Sequence, residues 1–139
     1  MSNNLLETEL QLKVRFHECD SLKIVWHGNY LKYFEEGRED FGVKHKISYL
    51  DVERYGYATP VVKSLCEHKH PLKYGDHFIV RTSFENSPAA KLIYNYEILS
   101  GEKLICTGQT VQVFTDENSE LVLYPPSFFL DWKKQMGLI

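Results

Sequence analysis

Asn29-Tyr30-Leu31-Lys32-Tyr33-Phe34-Glu35-Glu36-Gly37-Arg38-Glu39-Asp40-Phe41 is the run whose period decides the fold. Leu31, Phe34 and Phe41 recur at helical spacing, while Lys32, Glu35, Glu36, Glu39 and Asp40 cover much of the remaining circumference. The spacing predicts a helix from Tyr30 to Phe41 with one apolar stripe. Asn29 stands where an N-cap belongs, because its side chain can accept from one of the first unpaired amides.

On both sides of this run the period changes. Upstream, Leu10, Leu12, Val14 and Phe16 alternate with Gln11, Lys13 and Arg15, the pattern of a half-buried strand ending near His17. Downstream, Ser48 with Asp51 three residues later resembles a capping box and predicts a short helix ending around Tyr55-Gly56. Beyond Tyr57 the alternation returns. Phe78, Val80, Thr82 and Phe84 share one face, then Leu92, Tyr94, Tyr96 and Ile98. Asn86-Ser87-Pro88 and Ser100-Gly101 are turn segments short enough to make antiparallel neighbours. Lys103 to Thr115 reads as a further long strand in which Gly108 is a bulge or a point of close backbone approach. After Pro125-Pro126 a helix is expected from Ser127 to Met136, with no docking site legible.

Strand, helix, short helix and then about four successive strands is an α+β order with an antiparallel sheet. The long helix must bury its stripe on that sheet. A single sheet over a single helix leaves a face uncovered, so pairing with a second copy is expected.

The 139 residues, 43% apolar or aromatic and 25% charged, suit a single domain over 1–139. Its core is expected at about 10–115, with a C-terminal helical tail at 125–139. A net charge of -3 argues against a broad phosphate-binding surface, so no nucleic-acid partner is expected. No run approaches the roughly 20 apolar residues of a membrane span, and the N-terminus lacks the pattern of an export signal. Cys19, Cys66 and Cys106 are an odd count without C-x-x-C spacing, which suits reduced thiols and a cytoplasmic location.

Chemistry concentrates between Val14 and Tyr30, from the end of a strand to the start of the helix. Asp20 can there face the unpaired amides and positive dipole end of the helix. Backbone N–H groups at a helix start can polarise a thioester carbonyl, and a carboxylate can attack it or activate water. On spacing alone, an Asp before a helix is more often an Asx-turn or capping residue than a catalyst, and it is the surrounding motif that raises the chemical reading of Asp20. Trp26 reads as packing or as a stacking surface. His17, Glu18, Cys19 and Asp20, or His68 with His70, have no recognised ligand spacing, and no metal is expected.

The run RFHECDSLKIVWHGNYLKYFEEGREDFG, Arg15 to Gly42, resembles the signature of the 4-hydroxybenzoyl-CoA thioesterase-like hotdog proteins, which include the Tol-Pal-associated acyl-CoA thioesterases. Tyr74-Gly75-Asp76 resembles that family's Gly-Asp, and Thr59-Pro60-Val61-Val62 resembles the segment lining its acyl pocket. The resemblance implies a hotdog fold, an antiparallel sheet of about five strands wrapped around one long central helix. It implies Asp20 as nucleophile or general base, the His27 amide as the group polarising the thioester carbonyl, and Gly28 and Asn29 keeping the helix start close to substrate. Trp26, Thr59, Pro60 and Val61 are the substrate-binding positions to which it leads. Active sites at a subunit interface, a homodimer or homotetramer, and no cofactor are further implications. Lys23 departs from the family's frequent Gly, so its turn is expected to be built differently. The function expected is hydrolysis of an acyl-CoA to free acid and CoA. A non-catalytic acyl-thioester binding module and an acyl-carrier-protein thioesterase are the alternatives.

Overall fold

Alternation along the later strands builds the surface on which everything else rests. The computed structural model describes residues 6–139. Its strands are β1 (Glu7–Lys13), β2 (Val61–His68), β3 (His77–Glu85), β4 (Lys91–Ser100) and β5 (Lys103–Val113); its α-helices are α1 (Asn29–His45), α2 (Tyr49–Arg54) and α3 (Ser127–Gln135). The five strands form one antiparallel sheet in the order β1-β3-β4-β5-β2. Pairing of Thr82 with Tyr96, and of Tyr96 with Gly108, lines up the buried face across three strands.

Helix α1 lies on that face. Phe34 stacks on Tyr96 with ring centroids 4.4 Å apart, Tyr33 meets Phe78 at 4.7 Å, and Phe41 packs between Phe84 and Tyr94. Fully burying a side chain such as Phe34 contributes roughly 1.5–3 kcal/mol. Gly108 is the close approach, not the bulge: a Cβ there would stand 2.2 Å from the Phe34 ring, whereas the irregularity in the β4–β5 ladder falls at Ile98/Leu99.

Three expectations are corrected. The first strand runs Glu7–Lys13 rather than Leu10 to Phe16. Val14 still bonds the segment before β3, its amide donating to the Asp76 carbonyl, and the chain turns away after it because Arg15 with Glu18 closes a single turn of 3₁₀ helix. Phe16 is consequently 77% exposed, edge-on to Tyr74. Leu31 is 38% exposed, since the stripe that faces the sheet is Tyr30, Tyr33, Phe34, Gly37 and Phe41. The helix also continues one turn further than expected, to His45, where Lys46 ends it in the left-handed conformation. The Ser48–Asp51 capping box forms as expected, with the Ser48 amide donating to Asp51 Oδ2 at 2.9 Å.

Tertiary contacts decide where α3 docks. Trp132 Nε1 donates to the His45 carbonyl at 2.7 Å, satisfying an end carbonyl of α1, and Lys133 Nζ donates to the Ser87 carbonyl at 2.6 Å. The far face of the sheet carries polar cross-strand ladders, Glu9–Arg81–Glu97 and Glu85–Asn95–Gln109. Uncovered apolar surface lies instead at one sheet edge, where Val61, Val62 and Leu65 of β2 are exposed. The opposite edge, β1, exposes Glu7, Glu9, Gln11 and Lys13, which oppose strand addition. Among the described residues no helix is long and apolar enough to cross a membrane.

Candidate active site

Asp20 begins a tight reversal. Cys19 bridges Val25, the Asp20 amide donates to the Ile24 carbonyl at 2.9 Å, and the Lys23 amide returns to the Asp20 carbonyl at 2.9 Å. Asp20 Oδ1 accepts the Leu22 amide at 2.8 Å, so the Asx turn exists; one carboxylate oxygen shapes the loop while Oδ2 meets no donor among the described residues. Lys23 takes φ +68°, the conformation that glycine would adopt without strain. The turn is thus of the kind a glycine serves, with lysine absorbing the cost, which corrects the expectation of a different construction.

The second arm of this hairpin leads directly into α1. Its course is fixed by Glu18, whose carbonyl accepts the Trp26 amide at 3.0 Å and Asn29 Nδ2 at 2.8 Å, and whose carboxylate accepts the Arg15 amide and the Tyr33 hydroxyl. Burial and the Glu18 bond push the Tyr33 hydroxyl far above its ordinary range, so it remains a donor. Asn29 is therefore not the N-cap. Gly28 holds that position without a side-chain cap, and Asn29, buried in the first turn, ties the helix start to the loop. The amides of His27 and Gly28 donate to no other group among the described residues, which leaves two donors at the mouth of the helix.

Trp26, 47% exposed, lies across Gly28 and against the His27 ring, whose other neighbour is His68 at 6.5 Å. All three thiols are raised above their ordinary values, with burial the first cause; Glu18 and Asp20 add to it at Cys19, which argues against a thiolate nucleophile beside Asp20. Among the described residues no group of three or more His, Cys, Asp or Glu is placed to hold a metal.

Thr59, Pro60 and Val61 stand elsewhere. Thr59 and Val61 line a cavity of about 330 Å³ together with Glu35, Arg38, Tyr94 and Gln112. Pro60 contributes only its carbonyl, which accepts the Val113 amide. Val61 begins β2, whereas His68, the neighbour of His27, ends it; at about 3.3 Å per residue these lie roughly 23 Å apart. One chain therefore carries Asp20 at the turn of a hairpin, Trp26, His27, Gly28 and Asn29 where its second arm enters α1, and Thr59–Val61 at the far end of β2.

Glu18, Tyr33, Arg38 and Gln112 escape sequence reasoning. Arg15-x-x-Glu18 has capping-box spacing and could have revealed Glu18, whereas no local signal exists for the other three.

The thioesterase-like superfamily profile matches residues 14–132. YneP of Bacillus subtilis, named for acyl-CoA thioesterase activity, is 31% identical over 123 residues, 88% of this chain and 89% of that protein. The chloroplastic acyl-acyl carrier protein thioesterase ATL3 of Arabidopsis thaliana is 28% identical over 121 residues, 86% of this chain and 64% of that protein. Among solved structures, the DHNA-CoA thioesterase of Staphylococcus aureus superposes with a TM-score of 0.84 at 27% identity, covering 94% of this chain and 89% of that one. Five antiparallel strands around one long helix, and this match over most of its length, make the chain a member of the thioesterase-like superfamily of hotdog-fold proteins.

Proposed function

We propose that this protein is an acyl-CoA thioesterase, with Asp20 as its essential carboxylate and the amides of His27 and Gly28 polarising the thioester carbonyl. One observation carries the reading: the hairpin led by Asp20 runs without interruption into a helix start with two unsatisfied donors. Asp20 adds to the carbonyl carbon or takes a proton from the attacking water, and charge building on the carbonyl oxygen meets the two amides. A well-aimed donor of this kind lowers the barrier by about 3–4 kcal/mol. The CoA thiolate leaves without needing a general acid; where Asp20 is the nucleophile, water then cleaves the mixed anhydride to release the free acid and restore the carboxylate. Trp26 and Asn29 border the thioester, and a cytoplasmic location suits the three reduced thiols.

The working unit is a homodimer, alone or within a tetramer, whose site draws on both chains. Antiparallel pairing of the exposed apolar edge of β2 with its two-fold copy would set the start of one β2 beside the end of the other. Thr59–Val61 of one subunit would then lie by His27 of the partner, removing the roughly 23 Å separation. The alternative carrier, acyl carrier protein, is supported by the similarity to ATL3.

The test is thiol release from matched acyl-CoA and acyl-carrier-protein thioesters. Asparagine can still accept the Leu22 amide, so Asp20→Asn keeps the Asx turn and reads chemistry alone. Its turnover should fall by about 10²-fold or more. Undiminished turnover in the folded variant rejects the role of Asp20, and saturable binding without hydrolysis by the wild type leaves a binding module.

A further inference from the structure

Asp20 lies in a stretch with little hold on the core. Val14 and Val25 are 1% and 3% exposed, whereas none of residues 15–24 between them is buried, and of these only half-buried Cys19 packs against the core. Phe16 and Glu18 border a cavity of about 640 Å³, so no packed neighbour holds the 3₁₀ turn from that side. A segment short of buried apolar contacts keeps its place chiefly through hydrogen bonds. Among the described residues, both hydrogen bonds from 15–24 to α1 end on Glu18: Asn29 Nδ2 donates to its carbonyl at 2.8 Å, and the Tyr33 hydroxyl donates to its Oε1 at 2.9 Å. The same Oε1 accepts the Arg15 amide at 2.8 Å and closes the turn.

Asn29 and Tyr33 stand one turn apart on α1, so the two bonds fix an orientation as well as a distance. Tyr33 is a firm anchor, 1% exposed with its ring 4.7 Å from that of Phe78 in β3. We infer that Glu18 and Tyr33 are positioning residues, whose hydrogen bond holds the Asp20 hairpin in its working place against the start of α1. Asp20 follows Glu18 by two residues, so a shift of Glu18 is passed to the carboxylate, while the amides of His27 and Gly28 stay with the helix. Losing the bond therefore moves one half of the site against the other without emptying the core, and a misplacement of about 1 Å costs up to about 10²-fold in rate. Position 18 must supply an acceptor rather than a charge, because a glutamine carboxamide oxygen also accepts from the Tyr33 hydroxyl and the Arg15 amide. The inference rests on the acyl-thioester reading above.

Tyr33→Phe removes one oxygen and leaves the ring on Phe78. Hydrolysis of an acyl-CoA is followed in wild type, Tyr33→Phe, Glu18→Ala, Glu18→Gln and Asp20→Asn. Binding of the matching analogue, with a methylene in place of the thioester sulfur, is titrated by calorimetry, and thermal unfolding checks each fold. Tyr33→Phe and Glu18→Ala should each lower kcat by about tenfold or more while the analogue binds within about twofold of wild type. Combining them should cost no more than Glu18→Ala alone, and Glu18→Gln should keep kcat within about threefold of wild type. Unchanged kcat in folded Tyr33→Phe, beside an inactive Asp20→Asn, overturns the inference and leaves the catalytic reading standing. Equal losses in Glu18→Gln and Glu18→Ala would place the effect in the charge and overturn it too, as would a fall in analogue affinity that accounts for all the lost kcat/KM. An active Asp20→Asn, or a wild type that hydrolyses no acyl-CoA, overturns the catalytic reading and this inference with it.

Discussion

The Trp26 indole lies across Gly28 so closely that a Cβ on the glycine would stand 2.3 Å from Cζ3. Gly28 has φ -66°, which any residue adopts, so the glycine is required for space and not for backbone freedom. Trp26 therefore packs against the helix start, and its position depends on the absence of one methyl group.

Gly28→Ala should push the indole aside and disturb the two amides, lowering kcat/KM on a good acyl-CoA by about tenfold, the scale of a lost positioning contact. Its unfolding midpoint should change little, because Trp26 is half exposed. Trp26→Ala removes the clash, so the double variant should be more active than Gly28→Ala alone. A double-mutant cycle in which the two effects simply add would show that the contact has no catalytic consequence.

A site shared between chains has a distinctive signature. Asp20→Asn disables the reacting end, and Thr59→Phe fills the cavity. Co-expressed in equal amounts, half the dimers are mixed, and each has one of two sites intact, so about a quarter of wild-type turnover should return. A site wholly within one chain gives no recovery.

The capping box of α2 sets a pH dependence. The Asp51 carboxylate is held below its ordinary value of 3.8, first by the Ser48 amide, against the opposing effect of burial, with the Ser48 hydroxyl and Arg54 adding to it. A lowered folded-state value means stabilisation that is complete above the unfolded value and lost as pH falls through the folded one. Asp51→Ala should cost about 1 kcal/mol at neutral pH. The difference from wild type should shrink as the pH drops below about 4, as measured by urea unfolding at a series of pH values. A gap that persists at pH 2 would locate the effect in packing.

Lys23 at φ +68° predicts a gain on substitution. The left-handed conformation costs a non-glycine residue about 1–2 kcal/mol, and glycine returns about 0.5–1 of that through the greater freedom of its unfolded chain. Lys23→Gly should be neutral or stabilising by up to about 1 kcal/mol in urea unfolding. Lys23→Val should be destabilising, since a β-branched side chain is least at home there. Loss of stability in Lys23→Gly would mean that the lysine side chain contributes a contact of its own.

Residues that report on their own strand or helix were legible in the chain: the alternations at Phe78–Phe84 and Leu92–Ile98, the Ser48–Asp51 spacing and the glycine in β5 each encode a local geometry that burial then respects. Leu31 misled because periodicity gives the spacing of a stripe but not which of two adjacent residues faces the sheet, and Phe16 because alternation does not show where a strand gives way to a turn. Phe34 and Phe41 were legible and are buried; only packing against Phe78 and His68 adds Tyr33 and Tyr30 in place of Leu31. Asn29 was legible as important but not in its role, because its partner is the Glu18 carbonyl, eleven residues back.

The amino-acid sequence by itself determined the order of elements, the antiparallel class of the sheet and the placing of a carboxylate between a strand and a helix start, since all three follow from short-range patterns of side-chain polarity and capping. Only the tertiary structure decided that Thr59–Val61 and His27 stand at opposite ends of β2, and that Arg38 and Gln112, seventy-odd residues apart in the chain, line one cavity. The physical reason is that strand register and helix rotation are set by burial across the whole sheet, where residues far apart in the chain compete for the same space.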